Sequence, residues 1–337
     1  MRRPWFAACL LVPSLAWLAA TAAPSGKAVF TDPAATDEDF AFQGEYAGTV
    51  KRDGGDLRYG VQVVALGGGK FDAIGYPGGL PGAGWTPPDK LRGTGERRGD
   101  IVALEGVDVG GTKRRGEIRG GAVVVLDDAG AAIASLPKVN RESPTLGAKP
   151  PAGAVVLCDG PGPVDENATF VKPRITEDGL LMEGVTTKDS FGDATWHVEF
   201  RLPYQPQDRG QGRGNSGAYF LGAYEVQMLD SFGLEGRNNE CGGIYSVAEP
   251  KVNMCLPPLA WQTYDVEVTA PRFEGDRKVA DARLTVRHNG VLIHENVPVS
   301  KITPAGTQKQ EAATGPLHLQ NHGNPVRYRN IWVVPKP

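Results

Sequence analysis

Apolar and polar positions follow two different rhythms along this chain of 337 residues. From about residue 42 to 140, short apolar bursts at 59–66, 70–76, 101–104, 114–118 and 122–126 are separated by glycine clusters such as Gly67-Gly68-Gly69 and Gly120-Gly121. No stretch sustains a helical period over three turns, so the bursts predict strands joined by tight turns, a small antiparallel meander or barrel. Past residue 150 the runs lengthen and alternate, at 196–202, 217–222, 224–229, 264–270, 282–288, 317–321 and 326–334. Alternation buries one face of each strand and leaves the other to solvent or ligand, and this many such strands predict two packed sheets. Ser143-Pro144-Thr145 and Lys149-Pro150-Pro151-Ala152-Gly153 read as a stiff linker at 143–153 that few contacts cross. The expected organisation is all-β: a small antiparallel domain at 24–142, the linker, and a sandwich at 154–337.

Composition supports this reading. Gly 45 and Pro 27 suit many turns, and the length gives each of two domains a core of its own. A formal charge of -3 leaves no broad basic surface, so nucleic acid is not an expected partner. Met1-Arg2-Arg3, an apolar run over 5–20 and Ala20-Thr21-Ala22 have the layout of a secretory signal at 1–23. A periplasmic or extracellular protein is expected, without membrane attachment once the signal is cleaved. The alternative, a membrane anchor, is disfavoured by Pro13 and by a run shorter than the ~20 residues that span a bilayer. With Cys9 in the signal, Cys158, Cys241 and Cys255 remain. Cys241 and Cys255 read as a disulfide at the base of an excursion, the alternative being three unpaired buried thiols. No cofactor is expected. No Cys/His cluster has zinc spacing, and calcium is the one ion to look for, with Asp276 to Asp281 reading as a solvated loop. The glycine-rich loop at 78–85 reads as plain turns and lacks the Lys-Ser/Thr ending of a phosphate cradle.

Alternation also sorts the polar side chains. If Trp196, Val198 and Phe200 enter the core, His197, Glu199 and Arg201 project together from the other face. Likewise Glu225 and Gln227 point away from Tyr224, Val226 and Met228, and Asp230 joins them only if a bulge or turn resets the register. His318, Gln320 and His322 fall on one side, and Arg327 and Arg329 share a face. Glu, Gln, His and Arg are the groups that hydrogen-bond a polyhydroxylated ligand and move protons.

Several runs carry a resemblance: Gly214-Asn215-Ser216-Gly217-Ala218-Tyr219-Phe220, then Tyr224 to Ser231, Gly242-Gly243-Ile244-Tyr245, Trp261 to Val266, Gly315 to Gly323 and Val326 to Ile331. In this order, over roughly 154 to 335, they are similar to the 3-keto-disaccharide hydrolase family; residues 40 to 140 resemble no family of known activity. The resemblance implies a concanavalin A-like jelly-roll sandwich, related to lectins and laminarinase-type glycoside hydrolases, with a sugar in the groove of the concave sheet. Matched position by position, it places Glu225, Gln227, Asp230, His322 and Arg329 nearest the sugar. Glu199, Arg201, Asn215 and Gln320 complete the expected binding set. Laminarinase-type enzymes space three acidic residues two apart on one strand; here Gln227 and Leu229 stand at the second and third positions, which disfavours double-displacement chemistry. The implied reaction is cleavage of 3-keto-glycosides by elimination then hydration, with His322 or Glu225 as base, Arg329 on the enolate oxygen, and Asp230, Gln227 and Asn215 orienting hydroxyls. A classical pair of Glu225 with Asp230 stays open. So do a lectin-like binding module and an N-terminal domain that docks the protein to a cell-surface partner.

Overall fold

The computed structural model describes residues 27–51, 55–108, 110–162 and 169–337. The signal expected at 1–23 lies outside the described residues. Eight strands, β1 Gly44–Val50, β2 Leu57–Gly67, β3 Lys70–Pro77, β4 Leu91–Arg98, β5 Ile101–Val107, β6 Lys113–Arg119, β7 Ala122–Leu126 and β8 Ala132–Val139, pair in sequence order. β8 returns to β1, with Tyr46 opposite Lys138, so the meander closes into a barrel that has no free edge. Its interior is filled by Tyr46, Val63, Phe71, Val102, Ile118 and Leu136, all almost fully buried.

The second half builds a sandwich from β9 Val155–Cys158, β10 Phe170–Val171, β11 Leu181–Met182, β12 Val185–Thr187, β13 Ala194–Arg201, β14 Ser216–Phe220, β15 Tyr224–Met228, β16 Trp261–Thr269, a β17 Arg272–Glu274 and β18 Arg277–Ala280 hairpin, β19 Ala282–His288, β20 Val291–Val299, β21 His318–Leu319 and β22 Arg327–Pro335. One sheet runs β10-β12-β21-β14-β15; the other runs β11-β22-β13-β16-β19-β20, with β9 also on β22. The inward side chains are those the alternation selects: Trp196, Val198 and Phe200 meet Ala218, Phe220, Tyr224, Val226 and Met228 across the layer. Trp196 and Phe220 touch edge to face at 5.6 Å. The expected all-β class holds, and among the described residues no helix is long and apolar enough to cross a membrane.

The two halves share apolar contacts. Val64, Ile74 and Tyr76 of the barrel belong to the sandwich's core, while Tyr204 and Leu259 of the sandwich belong to the barrel's. Gly233 makes one close seat between them. Its φ is +78°, and a Cβ there would stand 2.7 Å from Val64 and 2.9 Å from Ile74, so a side chain would pry the halves apart.

The segment expected to be a linker with few contacts is instead a strap laid on the outer face of the larger sheet. Ser143 Oγ lies 2.6 Å from Thr263 Oγ1, and Thr145 Oγ1 donates to Asp265 Oδ2 at 2.7 Å. Gly147 N donates to Glu199 Oε1 at 2.5 Å, while Ala148 O accepts from Asn330 Nδ2 at 3.0 Å and Trp332 Nε1 at 3.3 Å. Proline and glycine give the strap an extended backbone, and the polar outer positions of β13, β16 and β22 satisfy its hydrogen-bonding groups.

Candidate active site

Pleating and register gather a polar patch on the outer face of the smaller sheet. Tyr219 of β14 stands opposite both Glu225 of β15 and His318 of β21, and His318 stands opposite Thr186 of β12. Thr186, His318, Tyr219 and Glu225 therefore form one row across four strands. One step along, Gly217 faces Gln227 and its carbonyl accepts from Gln320 N at 2.9 Å, giving a second row of Gln320, Gly217 and Gln227. Gly217 is the hollow of this patch. A Cβ there would overlap Glu225 Oε1, so the carboxyl leans over the bare glycine backbone.

Two loops wall the patch. Residues 242–245 run along the outer edge of β15, with Gly242 N donating to Gln227 O at 2.9 Å, Gln227 N to Gly243 O at 2.9 Å and Tyr245 N to Glu225 O at 3.1 Å. Along the same edge Thr303 Oγ1 accepts from Glu225 N at 3.0 Å, and Pro304 O accepts from the Tyr219 hydroxyl at 2.8 Å. Enclosure changes the electrostatics. Burial pushes the Glu225 carboxyl up from its ordinary 4.5 to about 7, its hydrogen bond with Tyr219 offsetting only part of the rise. Burial lowers His318, whose Nδ1 lies 2.8 Å from Thr186 Oγ1. Gln227 Nε2 donates to Gln211 Oε1 at 3.1 Å, and Asn215 Nδ2 donates to Gln211 O at 2.8 Å. Asn215 Oδ1 is buried with no partner among the described residues, a spare acceptor at the end of the patch.

Of the residues singled out from sequence, Glu225, Gln227 and Gln320 share this face, with Asn215 at its end. His322 is exposed in the turn after β21, beside Asn324, whose Oδ1 accepts from Asn215 N at 3.0 Å. Asp230 does not join them. It lies beyond β15, accepts from Arg213 Nε at 2.6 Å and lines a cleft against the barrel.

Glu199, Arg201 and Arg329 sit on the other sheet, under and beside the strap, so the expected single hollow is divided between opposite outer faces of the sandwich. Alternation reports which side chains share a face of one strand but not which of two sheets the strand joins. Glu199 accepts from Arg329 Nε at 2.7 Å and Asn330 Nδ2 at 2.8 Å. Burial opposes its ionisation, yet the His197 ring, with Nε2 3.5 Å from Oε1, and hydrogen bonds from Asn330, Arg329 and Gly147 prevail and hold it at about 2. The Trp261 ring carries both guanidiniums, Arg329 at 4.0 Å and Arg201 at 5.1 Å from its centroid. The disulfide is likewise corrected: Cys241 and Cys255 are free buried thiols, as is Cys158. Cys241 Sγ lies 3.3 Å from the Tyr264 hydroxyl, and the excursion between the two cysteines is already pinned to β15 by the ladder at 242–245. Lys278 bridges Asp281 at 2.8 Å and Glu311 at 2.7 Å, so an ammonium occupies the loop considered for calcium. Among the described residues no three His, Cys, Asp or Glu side chains gather as a metal site.

Sequence reasoning passed over Tyr219, Thr186, Gln211 and the covering loop at 303–304. Tyr219 was accessible, since it alternates with core-facing Ala218 and Phe220; the loop, with no periodicity, was not.

The patch offers one carboxyl poised near neutrality, neighbouring amide donors and an unfilled acceptor. A family match agrees with a sugar ligand. Residues 159–334, more than half of the chain, match the model of the 3-keto-alpha-glucoside-1,2-lyase-like domain. Two crystal structures of candidate glycosyl hydrolases from Parabacteroides distasonis ATCC 8503 are similar. The first is 29% identical over 55% of this chain and 84% of that one, with a TM-score of 0.49; the second is 18% identical over 54% and 99%, with a TM-score of 0.38. No curated protein matches. On the family match, this chain belongs to the carbohydrate-active family of the 3-keto-alpha-glucoside-1,2-lyase-like domain.

Proposed function

We propose that the protein cleaves 3-keto-glycosides on the outer face of the smaller sheet, with Glu225 as the base. A ketone at C3 acidifies the hydrogen at C2. Glu225 takes that proton, the enolate forms, and its electrons expel the C1 substituent, which leaves as the alcohol by taking up the proton and so restores the Glu225 carboxylate, with a C1–C2 double bond conjugated to the ketone left behind. Water then adds, its hydroxyl at C1 and a proton at C2, and the free 3-keto sugar leaves. Gln320 and Gln227 supply amide hydrogen bonds to the enolate oxygen and the sugar hydroxyls, and Asn215 Oδ1 accepts from a hydroxyl. Arg329, on the opposite face, takes no part.

The observation that carries this reading is the Glu225 carboxyl, buried over Gly217 and raised to about 7. A carboxyl there is basic enough to abstract an activated proton, yet still ionises near neutral pH. The test is turnover of a 3-keto-glucoside by wild type, Glu225→Gln and His322→Ala. Loss in Glu225→Gln with activity kept in His322→Ala is expected, and the reverse moves the base to His322. Full activity in both overturns the chemistry, and binding of intact oligosaccharides without turnover makes the protein a lectin-like module. The same reading takes the protein as exported, which a mature N-terminus near Ala23 would support.

A further inference from the structure

A cleft of about 360 Å³ lies where the barrel meets the sandwich, on neither of the outer faces described above. β2 and β3 contribute Val64, Leu66, Asp72 and Ile74, β4 contributes Arg92 and Thr94, and the sandwich contributes Arg209, Arg213, Asp230 and Phe232. Three guanidiniums thus face two carboxylates across an apolar floor. They are unevenly satisfied. Arg92 pairs with Glu235, and Arg213 Nε with Asp230 Oδ2 at 2.6 Å. Arg209 makes no ion pair among the described residues; it donates to the carbonyls of Pro206, Asp208 and Leu66. Arg213 is 5% exposed, and its Nη2 is buried with no hydrogen-bond partner among the described residues.

A buried guanidinium nitrogen left without an acceptor is costly, and a site that leaves one beside a cleft is suited to an incoming anion. We infer that the cleft between barrel and sandwich is a second ligand site, which takes a six-membered ring bearing a carboxylate. Arg213 and Arg209 receive the carboxylate, since guanidinium forks match its two oxygens. Val64, Ile74 and Phe232 receive the flat apolar face of the ring. The volume lies near the lower end of the range for small-molecule pockets, which suits one ring and not an oligosaccharide. The site exists only where both halves are joined. It does not depend on the reading of Glu225, although the 3₁₀ turn Gly210–Gly212 lies between Arg209 and Arg213 of the cleft and carries Gln211, which bonds Gln227 on the patch.

The carboxylate could belong to a sugar acid or to an aromatic acid. Titration calorimetry of the full chain with D-glucuronate, benzoate and D-glucose separates them. Saturable binding of at least one carboxylate is expected, with glucose inert; glucuronate alone identifies a sugar acid, benzoate alone an aromatic one. Thr94→Trp, at an exposed position on the cleft wall, fills the space without touching either core, and should weaken binding at least about tenfold. Arg209→Ala should weaken it in the same direction. Neither residue belongs to the Glu225 patch, so turnover of a keto-glycoside should be unchanged in both. Failure of both carboxylates to bind, glucose binding as tightly as glucuronate, or unchanged affinity in Thr94→Trp overturns the assignment.

Discussion

Glu225→Gln separates folding from function at a single position. In the native protein, burial raises the Glu225 carboxyl from its ordinary 4.5 to about 7. A carboxyl whose folded value is raised lends its full relative stability below the unfolded value and loses it as pH climbs through the folded one. Wild type should therefore carry no penalty from this group below about pH 4.5 and a growing one up to about pH 7, where it levels off at roughly 3 kcal/mol, because each tenfold change in proton affinity is worth about 1.4 kcal/mol. Glutamine keeps the shape but never ionises, so it removes the penalty. Urea unfolding of both proteins from about pH 4 to pH 8.5 should give equal stabilities at the acid end and a variant more stable by up to about 3 kcal/mol at the basic end. The same variant should lose turnover of a 3-keto-glucoside, while wild-type kcat/KM rises with ionisation around neutral pH. A stability difference that does not change with pH would refute the placement of a buried, displaced carboxyl at this position.

Gly217→Ala would drive a methyl group into Glu225 Oε1; turnover should fall about 100-fold, with roughly 1–3 kcal/mol lost in denaturant unfolding, and wild-type kinetics would show that the carboxyl does not rest on the glycine. Glu199→Ala strands Arg329, Asn330 and Gly147 N, so it should lower stability by about 3 kcal/mol and leave KM unchanged; a shift in KM at unchanged stability would place Glu199 at the sugar instead. Because Glu199 is held at about 2, its contribution is present above its ordinary 4.5 and fades as pH falls towards 2, which acid unfolding of wild type against Glu199→Gln would detect. Thiol titration of protein lacking residues 1–23 should find three reactive cysteines in denaturant and none in the fold; a single one would restore the disulfide.

The sequence exposed whatever depends on local pleating. The inward set Trp196, Val198 and Phe200, and the outward pair Glu225 and Gln227, follow from a period of two. β1, β4 and β8 were not among the expected strands. β4, Leu-Arg-Gly-Thr-Gly-Glu-Arg-Arg, has few apolar residues to mark its inward side, because it is held by register with β3 and β5 and by Gly95 packed under Leu104 and Phe71. What escaped sequence reasoning at the site was long-range pairing. Arg329 and Gln320 look alike as outward polar residues of late strands, but β22 pairs with β13 and β21 with β14, which sends them to opposite sides of the molecule. The bulge at Asn330, with φ of +43°, also shifts the β22 register against β13, a backbone detail its composition does not announce.

The strap bears on how this protein can be dissected. A fragment cut at residue 159, where family similarity begins, would lack β9 and everything from Ser143 to Ala148. His197 and Glu199 would then meet water, Trp332 would lose the carbonyl it donates to, and Tyr204 and Leu259 would be stripped of their barrel neighbours. Such a fragment should be sticky and poorly soluble however faithfully it keeps the shared sequence, so the smallest well-behaved unit of this protein is larger than the unit its kinship defines.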